Sequence, residues 1–298
     1  MANVKVFVAL FAFVQLAFIV ADAADLWWRR RKNESRARLL QSWPVVVLVL
    51  SAGLFYFAIQ LAFAFLIPGT SLLLRVAGVT AGVREHSASA AGFLPLAVIF
   101  LFTYFVLTFF DYMVHRFLLH GMLWRLHENH HLPTVVSNLM PGIAARPFVA
   151  IPNLIINFAS GVVVLFTLRV WGHPEFMGAL IMVVPALLFW FAFVACASHS
   201  SFLRNFPWVD RCFRASLLIT PREHELHHAA RMKGNYGNFT PLWDRMFGTY
   251  LAPRECERPA MGLEYDQDFL GTLTAGRLKL PPRFRERLQV ARVCRLDQ

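Results

Sequence analysis

The chain has 298 residues, 57% of them hydrophobic and only 16% charged, with a mean hydropathy of +0.50 and a formal net charge of +11. A soluble domain is about half apolar and about a quarter charged, so this composition excludes an ordinary soluble globular protein and points to a membrane protein. The positive charge lies in juxtamembrane blocks such as Arg29-Arg30-Arg31-Lys32 and is no sign of nucleic-acid binding, while Cys196, Cys212, Cys256 and Cys294, without paired spacing, argue for neither a disulfide framework nor a thiolate metal site.

In chain order, Val6 to Val20 is apolar apart from Gln15 and is followed by Ala21-Asp22-Ala23, which fits a signal-peptidase site. Cleavage there would leave the arginine-rich block from Arg29 to Arg38 on the translocated side, against the cytoplasmic preference of positive charge, so an uncleaved first span is expected. Val45 to Ile67 is a second span, ended by Pro68-Gly69. Phe93 to Phe110 is a third, and it runs without a break into Asp111 and the first histidines. Phe148 to Leu168 and Phe176 to Ala197 read as a hairpin of two further apolar segments around Gly172 and Pro174. The fold class expected is an all-α polytopic membrane protein with about four to five transmembrane helices and a cytoplasmic, histidine-rich helical cap. The arginine block alone sets this topology, yet it brings all the histidine clusters to one side of the membrane.

Those clusters carry the chemistry. The stretch DYMVHRFLLHGMLWRLHENHH, from Asp111 to His131, contains His115, His120, His127, His130 and His131, and TPREHELHHAA contains His224, His227 and His228. Residues three and four apart share a helix face, so each H-x-x-H-H triplet can present its imidazoles to one point. His115 and His120 are five apart, which on a regular helix puts them off a common direction. A bend, a helix end or ligation of two different metals is expected there. Eight histidines exceed the needs of one tetrahedral zinc, so two metals are the economical reading, and imidazole suits zinc, copper, iron and nickel alike. Asp111, one turn before His115, is a candidate to accept the outer ring N–H of a ligand. His199 stands alone at the end of the fifth segment, where it caps a helix as readily as it binds a metal. Trp124 and Trp243 read as interfacial anchors, and Asp244 with Arg245 as a buried ion pair.

At these residues the sequence resembles the fatty acid hydroxylase and sterol desaturase superfamily of histidine-box di-iron membrane enzymes. The pattern is H-x4-H at His115 and His120, H-x-x-H-H at His127 to His131 and again at His224 to His228. The words Leu123-Trp124-Arg125, Thr220-Pro221-Arg222, Asn235-Tyr236-Gly237, Trp243-Asp244-Arg245 and Phe247-Gly248-Thr249-Tyr250 match as well. The resemblance implies that the eight box histidines are iron ligands, with His199 as an additional one between the last span and the third box. It implies two iron ions with O2 as co-substrate, and zinc as a possible occupant of purified protein. Some relatives carry a His-Pro pair soon after the second box, where this chain reads Ala144-Ala145-Arg146-Pro147.

The chain then divides into an N-terminal membrane region with two spans (1–92), a fatty acid hydroxylase-like catalytic region (93–250) and a cytoplasmic tail (251–298). The expected function is O2-dependent hydroxylation, or desaturation, of a lipid such as a fatty acyl chain or sterol. No Gly-rich dinucleotide fingerprint or P-loop occurs, so electrons are expected from a separate donor: a cytochrome b5-like protein, a ferredoxin or a reductase. The location expected is a multi-pass position in a bacterial inner membrane or the endoplasmic reticulum, with the boxes on the cytoplasmic side. The alternative is a non-catalytic metal-binding membrane protein or transporter, which would place ionisable ligands along a path within the spans.

Overall fold

A computed structural model describes residues 93–131, 150–171, 202–229 and 233–253, with scattered positions between 20 and 31, 183 and 200, and 263 and 281. The expected spans at Val6 to Val20 and Val45 to Ile67, and nearly all of the 251–298 tail, lie outside the described residues, as does the side chain of His130.

Helix α1 (Phe93–Met113) continues into a π-helical segment (Val114–Met122), and together they make one apolar rod of 30 residues, Phe93–Met122. At 1.5 Å per residue a straight rod of this size would be about 45 Å long, more than the hydrocarbon thickness of a bilayer. It is the one helix among the described residues that is long and apolar enough to cross a membrane. The expected span thus carries on past Phe110 and takes the first histidines with it.

Short elements follow: α2 (Trp124–His127), a 3-10 turn (Glu128–His131), then α3 (Ala150–Trp171), which runs three residues beyond the expected end at Leu168. Next come a 3-10 turn at Leu203–Asn205, α4 (Pro207–Ala215), α5 (Pro221–His227) and α6 (Leu242–Met246). The described residues contain helices and no β-strand.

Two apolar clusters join these parts. Ile99 and Tyr104 of α1 pack with Val164 and Leu168 of α3 and with Val183 and Leu187. Val194 and Ala197 pack with Val209, Phe213, Leu218 and Ile219, which fastens the 207–219 segment to the residues before His199. Local chemistry sets the starts and stops of the short helices. Pro207 opens α4 in the first turn, where its missing N–H costs nothing. At the far end of α4 the Leu218 and Leu217 amides donate to the Phe213 and Arg214 carbonyls at 2.8 and 3.1 Å, a Schellman closure with Leu217 in the left-handed region at φ 55°. A capping box starts α5: Thr220 Oγ1 accepts from the Glu223 amide at 3.1 Å, and Glu223 Oε2 accepts from the Thr220 amide at 2.9 Å.

Candidate metal centre

The π-helical winding answers the five-residue spacing of the first box. In an α-helix residues five apart diverge by about 140°. A π-helix instead hydrogen-bonds each residue to the one five along, so such residues lie one turn above another. The His115 and His120 rings accordingly come within 5.1 Å, centroid to centroid. The backbone leaves helical angles at Gly121 (φ −122°, ψ −114°), and the chain turns there into α2.

The expected grouping of the H-x-x-H-H triplet His224, His227 and His228 around one point is not what forms. The Nε2 atoms of His127 and His131 are 3.0 Å apart, and those of His224 and His228 are 3.1 Å apart. Both pairs are spaced i, i+4. His227, at i+3 from His224, diverges from His228, and its Nε2 lies 3.3 Å from that of His120. The reason is angular: positions i+3 and i+4 fall on opposite sides of position i and diverge from each other by about 100°. The outcome is two mixed groups. His115, His120, His127, His131 and His227 form one; His199, His224 and His228 form the other, and within each group the candidate donor atoms lie within 4.8 Å of one another. The groups adjoin, for the His131 ring is 4.9 Å from that of His227 and 4.8 Å from that of His228.

The tautomers fit a cation. His115 Nδ1 donates to the Tyr236 carbonyl at 2.6 Å, His227 Nδ1 to the Gly234 carbonyl at 3.0 Å, and His199 Nδ1 to the Ala195 carbonyl at 2.7 Å. A carbonyl only accepts, so each Nδ1 carries the proton and each Nε2 keeps its lone pair for the centre. Those Nε2 atoms meet others at close range: His115 and His127 at 3.0 Å, His224 and His199 at 2.9 Å. Two nitrogens held at right angles about 2.1 Å from one ion would be about 3.0 Å apart. Both groups therefore have the donor set and spacing to hold a metal ion. Burial reinforces the neutral state, keeping the His227 imidazole down to about 4.

His199, ambiguous in the sequence, joins the second group; its ring is 4.3 Å from that of His224. Asp111 does not accept from His115. Its carboxylate takes the Asn238 main-chain and side-chain N–H groups at 3.1 and 2.9 Å, because the Tyr236 carbonyl already occupies His115 Nδ1. Asp244 and Arg245 form no ion pair, since consecutive helical side chains diverge. Asp244 accepts from the Tyr236 and Gly237 amides, each at 2.8 Å, and from Thr249 Oγ1 at 2.7 Å, while burial still pushes its carboxyl above the ordinary range. Arg245 lies over the Tyr250 ring at 4.6 Å. The two tryptophans expected as interfacial anchors have partners inside the protein: Trp124 packs on His120 and His131, and Trp243 Nε1 donates to Thr108 Oγ1 at 3.0 Å.

Sequence reasoning assigned no role to the carbonyls of Gly234 and Tyr236. The conspicuous Asn235-Tyr236-Gly237 word was the available signal, but main-chain acceptors leave no side-chain signature.

A match to the fatty acid hydroxylase family spans residues 100–249 and encloses both histidine groups. The chain belongs to the fatty acid hydroxylase family. A curated relative, the fatty acid hydroxylase vlmA of a Lecanicillium species, is 29% identical over 159 residues, which is 48% of this chain and 39% of that protein. This fatty acid hydroxylase homologue thus spans well under half the length of the relative it matches. No solved structure matches the chain.

Proposed function

We propose that this protein is a membrane-embedded, O2-dependent di-iron oxidoreductase that hydroxylates, or desaturates, a lipid chain or ring, with electrons from a separate donor protein. One observation carries this reading: two histidine groups, of five and three imidazoles, stand side by side with His131 against both. Two iron ions, when bound, supply activation of O2 and oxidation of an unreactive C–H bond, which no side chain can perform alone.

The chain's own part is to hold and shield. His115, His120, His127, His131 and His227 would hold one iron, and His199, His224 and His228 the other; His130 belongs to the proposed ligand set on its box spacing. Of the eight described imidazoles only His120 and His199 are not fully buried, so bulk water is kept from the rest. Because the apolar rod Phe93–Met122 itself carries His115 and His120, the site adjoins the face where a lipid would arrive from the bilayer. Trp28, one residue before the arginine block, packs its ring edge-on against Phe202 at 4.9 Å, which supports a cytoplasmic cap next to that block.

The test is metal content together with product. Purified in detergent, the protein should carry about two irons per chain, and His127→Ala about one. Lipid extracts from cells expressing the wild type should contain an oxidised lipid missing from cells expressing the variant. Metal lost in the variant with identical lipid extracts would favour the metal-storing or transporting alternative, and a wild type without metal would end the enzyme reading.

A further inference from the structure

The two histidine groups differ in what stands behind their rings. His115 and His227, from different boxes, both donate Nδ1 protons to carbonyls of a single loop, those of Tyr236 and Gly234. His199 in the other group donates instead to Ala195, four residues earlier in its own segment. We propose that loop 234–238 is a positioning device for the five-histidine centre alone, with Asn235, Asn238 and Asp111 as its positioning residues, and that it sets that centre's metal affinity separately from its neighbour's. The proposal deepens, and rests on, the two-metal reading above.

The loop is held at every point where it could shift. Asn235 is buried and sits in the left-handed region at φ 54°, which reverses the chain between the two carbonyls that face the imidazoles. Its Nδ2 donates to the Glu223 and Leu251 carbonyls at 2.8 and 2.9 Å, and its Oδ1 accepts from the Leu251 amide at 2.8 Å. One side chain therefore ties the loop both to α5, which carries His227, and to the segment after α6. Asp111 grips Asn238 from α1, the helix that leads into His115, and Asp244 holds the next two amides along from Asn235. No room is left for adjustment. A Cβ on Gly234 would come within 2.3 Å of the Thr249 carbonyl oxygen and 2.7 Å of Leu251 Cγ, and one on Gly237 within 2.3 Å of the Thr240 carbonyl oxygen.

A carbonyl that fixes the tautomer and tilt of a ligating imidazole affects how tightly the ring binds metal, and loss of such a partner typically weakens binding about 10- to 100-fold. Here two rings of one centre share one loop, so loosening the loop should weaken one ion and spare the other.

The experiment is chelator competition on cobalt(II)-loaded full-length protein in detergent, comparing wild type with Asn235→Gly and Asn238→Ala. Glycine keeps the left-handed backbone and removes only the side-chain bonds. Asn238→Ala removes the side-chain half of the link to Asp111 and leaves the main-chain half, and it serves if the first variant folds poorly. The expected result is one cobalt held as in the wild type and one released at about 10- to 100-fold lower chelator concentration. Adding His199→Ala should then remove the tight ion. Equal retention of both ions, or equal weakening of both, overturns the proposal. A wild type that binds fewer than two cobalt ions overturns the two-metal reading instead, and shows it before any variant is compared.

Discussion

His227 and His228 are consecutive residues whose rings stand 5.3 Å apart with planes at 77°, and they belong to different candidate metal-binding groups. His228 turns to His224 and His199, while His227 turns to His120 on the apolar rod. The third box is thus shared between the two candidate groups and does not form one of its own.

Single substitutions should separate the centres. His227→Ala and His228→Ala should each reduce bound metal from about two ions to about one, and the double variant should hold neither. Metal analysis of the three proteins decides it. If either single variant released both ions, the centres would be one cooperative site.

Stability should depend on pH through His227. Its folded value, about 4, lies below the ordinary 6.5 because burial disfavours the charged ring. The unfolded chain therefore binds the proton more tightly, so the stabilisation is complete above pH 6.5 and is lost as pH falls from there toward 4. The change is on the order of 3 kcal/mol for the metal-free protein. Burial raises the Asp244 and Asp210 carboxyls and acts with the opposite sign, so the quantity to measure is the difference in thermal midpoint between metal-free wild type and His227→Asn. That difference should shrink as pH falls through the window.

Arg222 beside Asp210 should matter more than an exposed ion pair. The Arg222 Nε lies 3.1 Å from Asp210 Oδ2, and Asp210 is 7% exposed. Burial raises the Asp210 carboxyl, and Arg222 and then Arg214 oppose it. Arg222→Ala leaves a carboxylate half-stranded between α4 and α5 and should cost about 1 to 3 kcal/mol. Denaturant unfolding of the protein in detergent, followed by a reporter at Trp208, would measure it. Asp210→Asn in the same background should recover part of the loss.

Leu217 is a site where a change should stabilise. It holds the left-handed position that closes α4, and its side chain is 44% exposed, so little packing repays the strained backbone. Leu217→Gly should raise stability by about 1 kcal/mol, less whatever glycine costs by loosening the unfolded chain. An unchanged or lower thermal midpoint would show that the exposed leucine has a contact that outweighs its backbone.

The candidate ligand residues could be read from the chain alone, because histidine spacing and apolar run length are local properties. Eight clustered imidazoles, an apolar helix leading into them and an additional His199 already pointed to a candidate metal site beside a membrane-length helix. The partition of those imidazoles was decided by tertiary structure. Spacing allows H-x-x-H-H to converge on one point, but the 100° between positions i+3 and i+4 matters only once a second helix stands on either side to use both directions. The same holds for His115 and His120, whose five-residue spacing becomes a shared face only through π-helical winding. The supports behind the rings are main-chain atoms: the Tyr236 carbonyl lies 121 residues from His115 and the Gly234 carbonyl seven residues from His227. Every residue carries such an acceptor, so which one meets an imidazole is a property of the folded path and not of the residue type.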